Sequence, residues 1–521
     1  MKWSEHNFLN EQRKRGSVAD AERKKEPSVD PRNPFESDFG RVIFSPACRR
    51  LHDKTQVFPM TTDDNIHSRL THSMEVMNIG LSFAINLCEN KSFQDKTELS
   101  NYEIIRKISP ILKTSCLVHD IGNPPFGHFG EEVIQDYFAQ LLSGLDFEMA
   151  VDKKLGDSHP LSRYIISGLR EVDVETDDKI EDLRQFLGNL SARCDYTEFD
   201  GNAEGFRVLT KLQYLGDLKG LNLTYATLAS TLKYPNFGKK EEKGRIAVHK
   251  HGIFHTEKDL VENIANVCSL RDKDVNIIRH PLSFLMEAAD SICYYLMDIE
   301  DAVQKHWITL ADVKKAIDDN LEEGRIKCID EYFNRFKGEN PSIQKEWVSY
   351  RTALLTYLMG VATNNFVNKL EEIENGKYNC ELIEDNDNLY KVLRDISQKK
   401  ILAEREITSL ELTGQAVITG IFDAYIKLLF HPNKSFRKRG KSQISRSIFM
   451  TTLHEYYEKH KEDDFFKKKY NGEKNLEKLY GKFDVADFTV EERFRIVRDF
   501  VACMTDKFAV KHYQKLSGQK I

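Results

Sequence analysis

The 521-residue chain has no run of 18 apolar residues, so no membrane span is expected. It also lacks any CxxC pair. Its nine cysteines, an odd number scattered from Cys48 to Cys503, argue against a disulfide framework or a zinc ribbon and fit a reducing cytoplasm. The opening Met1-Lys2-Trp3-Ser4-Glu5-His6 has none of the apolar character of a secretory signal. There is no internal repeat, no low-complexity tract, and no excess of positive charge: 76 Lys and Arg stand against 82 Asp and Glu, for a net charge of −6. A phosphate-bearing ligand must therefore be met by local cations. Two clusters offer them, Arg41 with Arg49, Arg50 and Lys54, and the run Arg437-Lys438-Arg439-Gly440-Lys441, although a solvated face is the simpler reading of an isolated basic run.

What is present reads as a globular, mainly α protein. Apolar residues make up 40% and charged residues 30% of a chain long enough for two or more lobes. Thirteen prolines leave long uninterrupted stretches with helical spacing. Residues 1–35 are polar and read as a mobile or draped arm; 36–310 form the expected core and 311–521 a helical C-terminal region. Within the core, Leu70, Met74, Met77, Leu81, Ala84, Ile85 and Cys88 recur at threes and fours over about 64–90. Ser109-Pro110 reads as the start of a helix that stops at Gly122-Asn123-Pro124-Pro125. Further helices are expected from Glu131 to about Leu142 and from Pro281 to about Lys305. Alternation around the turn glycine in 235–257 suggests a small surface β-hairpin. Its His249, His251 and His255 find no carboxylate or cysteine at convincing spacing for a second metal site.

The chemistry-bearing feature is His119-Asp120, where an apolar helix meets a helix-breaking loop. Imidazole and carboxylate together suit Mn, Fe or Mg, with positions left for water. Two more residues complete a set: His72 on a separate helix and Asp290 inside an Ala- and Ile-rich one, where an unpaired carboxylate is costly. Two nitrogens and two oxygens make an open, catalytic arrangement, unlike closed structural zinc.

The order H…HD…D resembles the HD-domain phosphohydrolase superfamily. Longer strings narrow it: Lys54-Thr55-Gln56-Val57-Phe58-Pro59, Ser68-Arg69-Leu70-Thr71-His72-Ser73, His119 through His128, and Gly201-Asn202-Ala203-Glu204-Gly205-Phe206-Arg207. These are similar to the bacterial deoxyguanosine triphosphate triphosphohydrolases (dGTPases). The resemblance covers roughly residues 35 to 310, and beyond that only Leu410-Glu411-Leu412-Thr413-Gly414.

That resemblance implies hydrolysis of a deoxynucleoside triphosphate to nucleoside and intact triphosphate. It implies a divalent ion, Mn²⁺ or Mg²⁺ with Fe²⁺ as a further option, on His72, His119, Asp120 and Asp290. His128 and Glu131 map onto a catalytic pair, with His128 as general acid. Gln56, Tyr294 and Asp298 map onto groups around the ribose 3′-hydroxyl, and Arg69, Asn202 and Lys233 onto nucleotide and phosphate contacts. Asp290, Tyr294 and Asp298 are spaced by four and so share one helix face. The family also implies a homo-oligomer, often a hexamer, and single-stranded DNA as a partner. Two other readings stand beside this one. Another HD phosphohydrolase or phosphodiesterase would release smaller phosphate units, and a nucleotide- or DNA-sensing regulator would bind without turnover.

Overall fold

The computed structural model describes residues 3, 6–14, 30–56, 66–149, 159–172, 178–241, 245–338, 343–384, 388–401 and 405–519. The helices that position the site are α1 (Pro34–Ile43), α2 (Arg69–Glu89), α3 (Ser109–Val118), α4 (Gly127–Met149), α5 (Gly201–Arg207), α6 (Tyr225–Thr231), α7 (Pro281–Gln304), α8 (Ile343–Asn368), α9 (Arg405–Leu429), α10 (Val490–Ala502) and α11 (Asp506–Leu516). Among the described residues, β pairing is limited to three isolated bridges. No helix among them is long and apolar enough to cross a membrane. No disulfide joins any of the nine cysteines.

Local signals explain most helix boundaries. Ser68 caps α2 by accepting from Thr71 N–H, while the Thr71 hydroxyl answers Ser68 N–H. The pattern expected from 64 thus begins as a helix at Arg69. Pro281 opens α7 behind His280, whose Nδ1 accepts from Leu282 N–H. Ser109-Pro110 stands at the first turn of α3 as expected, but no side chain caps it. A helical stretch beginning at Asn101 passes through a π-turn at Ile104–Ile108 and runs straight into α3. Pro110 therefore stands at the junction of a π-turn and an α-helix rather than behind an extended capping residue. The helix expected from Glu131 starts earlier, at Gly127, and ends later, at Met149.

In place of the hairpin, the described parts of 235–257 hold two short 3₁₀ turns, Ile246–Val248 and His255–Glu257, and no strand. The alternation marks half-buried loop. Side chains hold this segment where a strand ladder would: Asn236 donates to the carbonyls of Lys239 and Lys250, and buried Asp195 accepts from both His251 and His255. His251 is therefore interior, and its carboxylate partner lies 56 residues away.

The buried apolar residues, from Trp3 to Ala509, join into one cluster. Helices α2, α3 and α7 pack on one another at its centre, and α9 lies across α4, α10 and α11. The first residues are draped onto this body. Trp3 and Phe8 are fully buried, Trp3 Nε1 donates to Glu374 (2.7 Å), and Arg13 pairs with buried Asp38. The basic run at 437–441 is also partly interior. Arg437 forks onto Asp484 with two bonds of 2.9 Å, and Lys441 donates to Phe483 O (3.0 Å). Spacing by four puts both on the helix face that packs inward.

Candidate active site

Helices α2, α4, α5, α7 and α9 and the loop after α3 converge on one cavity of about 420 Å³. Gln56, Arg69, Asp120, His128, Asn202, Lys233, Asp290 and Tyr294 line it. His72 and His119 are buried beside the cavity, and Glu131 and Asp298 are buried as well; none of these four lies on its wall. None of Arg41, Arg49, Arg50 and Lys54 lines it either.

The centre is a group of His72, His119 and Asp290, whose ligand atoms all fall within 4.8 Å of one another. Asp290 Oδ1 lies 3.3 Å from His72 Nε2 and 3.1 Å from His119 Nε2. His119 Nδ1 donates to the Cys116 carbonyl (2.7 Å), which leaves Nε2 facing the carboxylate without a hydrogen-bond partner. A lone pair turned toward a carboxylate oxygen needs either a second ring proton or a cation between them. Two imidazole nitrogens and a carboxylate oxygen fit a divalent ion. Asp120 stands at the edge of this group, 3.5 Å from His119 Nε2. Its Oδ2 pairs with Arg69, and its Oδ1 accepts from Asn123 Nδ2 (2.8 Å). Burial would raise the Asp290 carboxyl, but His119 and the Lys233 ammonium, 2.5 Å from Oδ2, hold it well below the usual range. Lys233 is thus no solvated lysine.

The second feature is the His128–Glu131 pair, Nδ1 to Oε2 at 3.1 Å on the first turns of α4. The His128 ring is 64% exposed at the cavity wall, whereas Glu131 is 7% exposed. The negative charge of Glu131 raises the imidazole above its ordinary value. Burial pushes the Glu131 carboxyl up, yet His128, Lys250 and the N–H of Gly201 hold it down at about 2. Gly201 is required there, because a Cβ would sit 2.6 Å from Glu131 Oε1 and 2.2 Å from Asn123 Oδ1. Gly122 is equally constrained: its missing side chain lets the His119-Asp120 loop touch the backbone of Gly205, which a Cβ would meet at 1.9 Å.

On α7, burial and then Asp298 raise the Tyr294 hydroxyl. Asp298 is 2% exposed and its Oδ2 has no partner; burial, reinforced by Asp301, pushes that carboxyl well above its usual range. Gln56 Oε1 is likewise buried without a partner. Asn202 donates to Asp200 Oδ1 (2.7 Å), whose other oxygen pairs with Lys250 at 3.3 Å. Sequence reasoning missed Lys250 and Tyr234, which both line the cavity. Lys250 lies in the irregular segment taken for a hairpin, where spacing carries no signal, while Tyr234 follows Lys233 directly and could have been taken with it.

No family model matches the chain. A protein of Listeria monocytogenes described as deoxyguanosinetriphosphate triphosphohydrolase-like is 30% identical over 528 residues, spanning 99% of this chain and all of the relative. The deoxyguanosinetriphosphate triphosphohydrolases of Cronobacter sakazakii and Salmonella typhimurium are each 31% identical, over 92% of this chain and 93% of their own length.

Proposed function

Since this chain belongs to the deoxyguanosinetriphosphate triphosphohydrolase family of hydrolases, we propose that its cavity converts dGTP, and to some extent other deoxynucleoside triphosphates, to deoxynucleoside and intact triphosphate. The observation that carries the reading is the joining, at one cavity, of the His72–His119–Asp290 group, the His128–Glu131 pair and several cations. All of these groups come from the core proposed for residues 36–310.

A divalent ion, Mn²⁺ or Mg²⁺ in our reading, held by His72, His119, Asp290 and the adjoining Asp120, would polarise the α-phosphoryl oxygen and lower the pKa of the attacking water. The chain does the rest. Arg69, Lys233 and Lys250 bring positive charge to the triphosphate, and Asn202 offers an amide beside it. Gln56 and Tyr294 face the ribose 3′-hydroxyl, with buried Asp298 one helical turn beyond Tyr294, and unpaired buried groups there discriminate strongly between sugars. Water oxygen bonds to the α-phosphorus as the bond from phosphorus to the ribose 5′-oxygen breaks. Protonated His128 supplies the proton that the 5′-oxygen takes up. Its Nδ1 is engaged by Glu131, so Nε2 is the donor.

The test is product analysis with each dNTP and Mn²⁺. Tripolyphosphate plus deoxynucleoside supports the proposal. Pyrophosphate or orthophosphate would point to another HD phosphohydrolase, and binding without turnover at saturating ligand to a sensor.

A pH prediction follows from the pair. The acid form of His128 is complete below its pKa and is lost as pH rises through it. Glu131 raises that pKa, so Glu131→Gln moves the alkaline limb of kcat to lower pH. A pH–rate profile checks this, and an alkaline limb that stays in place removes Glu131 from the proton-transfer account.

A further inference from the structure

We propose that Asp506, at the start of α11, is a positioning residue that fixes the sugar wall of the cavity relative to its proton donor. Asp506 is 1% exposed, and both of its oxygens are used across the fold. Oδ2 accepts from Thr55 N–H (3.0 Å) and from the Thr55 hydroxyl; Oδ1 accepts from Phe126 N–H (2.9 Å). Thr55 immediately precedes Gln56, and Phe126 stands two residues before His128. One carboxylate therefore ties together two segments 71 residues apart, one for each half of the chemistry assigned above, and the inference rests on that assignment.

Three details argue that this carboxylate is aimed at the cavity and is not simply part of its own helix. An acidic residue in a first turn ordinarily serves the helix N-terminus. Here the capping is done by Thr505, whose hydroxyl accepts from Phe508 N–H, so the Asp506 side chain is free to turn away. Its partner Phe126 has a φ of +65°, followed by Gly127 at +61°. A left-handed backbone at phenylalanine persists only where its surroundings over-determine it. The charge-assisted bond from Asp506 is one such constraint, and the packing of the Phe126 ring on Gly414 is another: a Cβ at Gly414 would come within 2.8 Å of that ring. Lys54 adds a third tie, donating to Asn123 O and to Ala502 O (3.3 Å) at the end of α10. Asn123 in turn holds Asp120. The C-terminal helices thus reach the cavity wall through Thr55, Asn123 and Phe126, and α9 adds Glu411 to it directly.

The test compares dGTP with GTP in Asp506→Asn and in Thr55→Val, each assayed well below its own melting temperature. Asp506→Asn keeps the shape but turns an amide NH₂ toward one of two N–H donors. The expected result is a kcat for dGTP lower by about 10²-fold, the scale of an ångström-sized misplacement. The dGTP/GTP ratio of kcat/KM should fall by about tenfold or more, as Gln56 leaves its register. Thr55→Val, which loses only the hydroxyl donor, should shift the ratio the same way by less, and stands alone if Asp506→Asn does not fold. A purely structural role would lower the melting temperature and scale both substrates equally. An unchanged ratio in both variants overturns the proposal, and Gln56→Ala then locates the failure. If Gln56→Ala still erodes discrimination, only the Asp506 link is wrong; if it does not, the sugar assignment falls with it.

Discussion

Asp290→Ala is expected to reduce Mn²⁺-dependent hydrolysis by on the order of 10³–10⁴-fold, the equivalent of the several kcal/mol that a bound ion contributes to charge stabilisation. The size of the effect follows from how many groups meet at this carboxylate. Oδ1 faces both His72 Nε2 and His119 Nε2, and Oδ2 faces Lys233. Removing it breaks the three-residue group and leaves the Lys233 ammonium, 11% exposed, without its counter-charge. Part of the loss in the alanine variant therefore comes from a disturbed cavity. Asp290→Asn separates the two causes, because it keeps the volume and one acceptor oxygen while removing the charge. Metal content by elemental analysis should fall in both variants, and circular dichroism should show the asparagine variant folded. Asp120→Ala should also abolish activity. It does so by a second route as well, since it frees Arg69 and Asn123 from their common partner. A folded Asp290→Asn enzyme with full metal content and normal turnover would remove the centre from the mechanism.

That centre was legible in the sequence because His119 and Asp290 each carry a local signature, whereas His72 was placed by the order of the motifs. His119 and Asp120 sit at the end of an apolar helix, and Asp290 is a carboxylate in an Ala/Ile/Leu context that can be kept only with a partner. Helical period located α2 and α7, because that signal acts within one or two turns, while the capping Ser68 that sets the start of α2 went unread. The misreadings share a cause in tertiary contacts that local pattern does not encode. Alternation in 235–257 looked like a strand, but among the described residues no partner strand comes alongside. Asp195, 56 and 60 residues distant, holds His251 and His255 instead. Ser109-Pro110 marked the start of α3, but nothing local betrays the π-turn that leads into it.

The cavity wall shows the same division. Arg69 could be placed from its spacing to His72 on one helix, and Glu131 from its spacing to His128. Lys250 could not, since it reaches the pair from an irregular loop through Asp200. Asp506 is further still from any sequence signal: 380 residues separate it from Phe126, and its role depends on α9 and α10 folding back over α4. The C-terminal helices share the apolar cluster of the rest of the chain, which no local pattern announces.

His128→Ala should lower kcat by roughly 10²–10⁴-fold, the usual contribution of a positioned proton transfer. The fold should tolerate the change, because the ring is largely exposed on the cavity wall and its one recorded bond is to Glu131. Substrate affinity should change little, since the imidazole matters most when charge develops on the ribose 5′-oxygen. Metal content should be retained, because His128 stands outside the His72–His119–Asp290 group. Glu131→Ala should be milder alone and add little once His128 is gone, as expected of residues acting as a unit. A substrate analogue with sulfur in place of the bridging 5′-oxygen gives the sharper test. A thiol has a pKa of about 8.5, so the thiolate departs without needing a proton donor. The deficit of His128→Ala should shrink several-fold on that analogue while that of Asp290→Asn does not. An equal deficit on both substrates would assign His128 to binding or orientation, and loss of metal from His128→Ala would make it a ligand; either result ends its place as the acid.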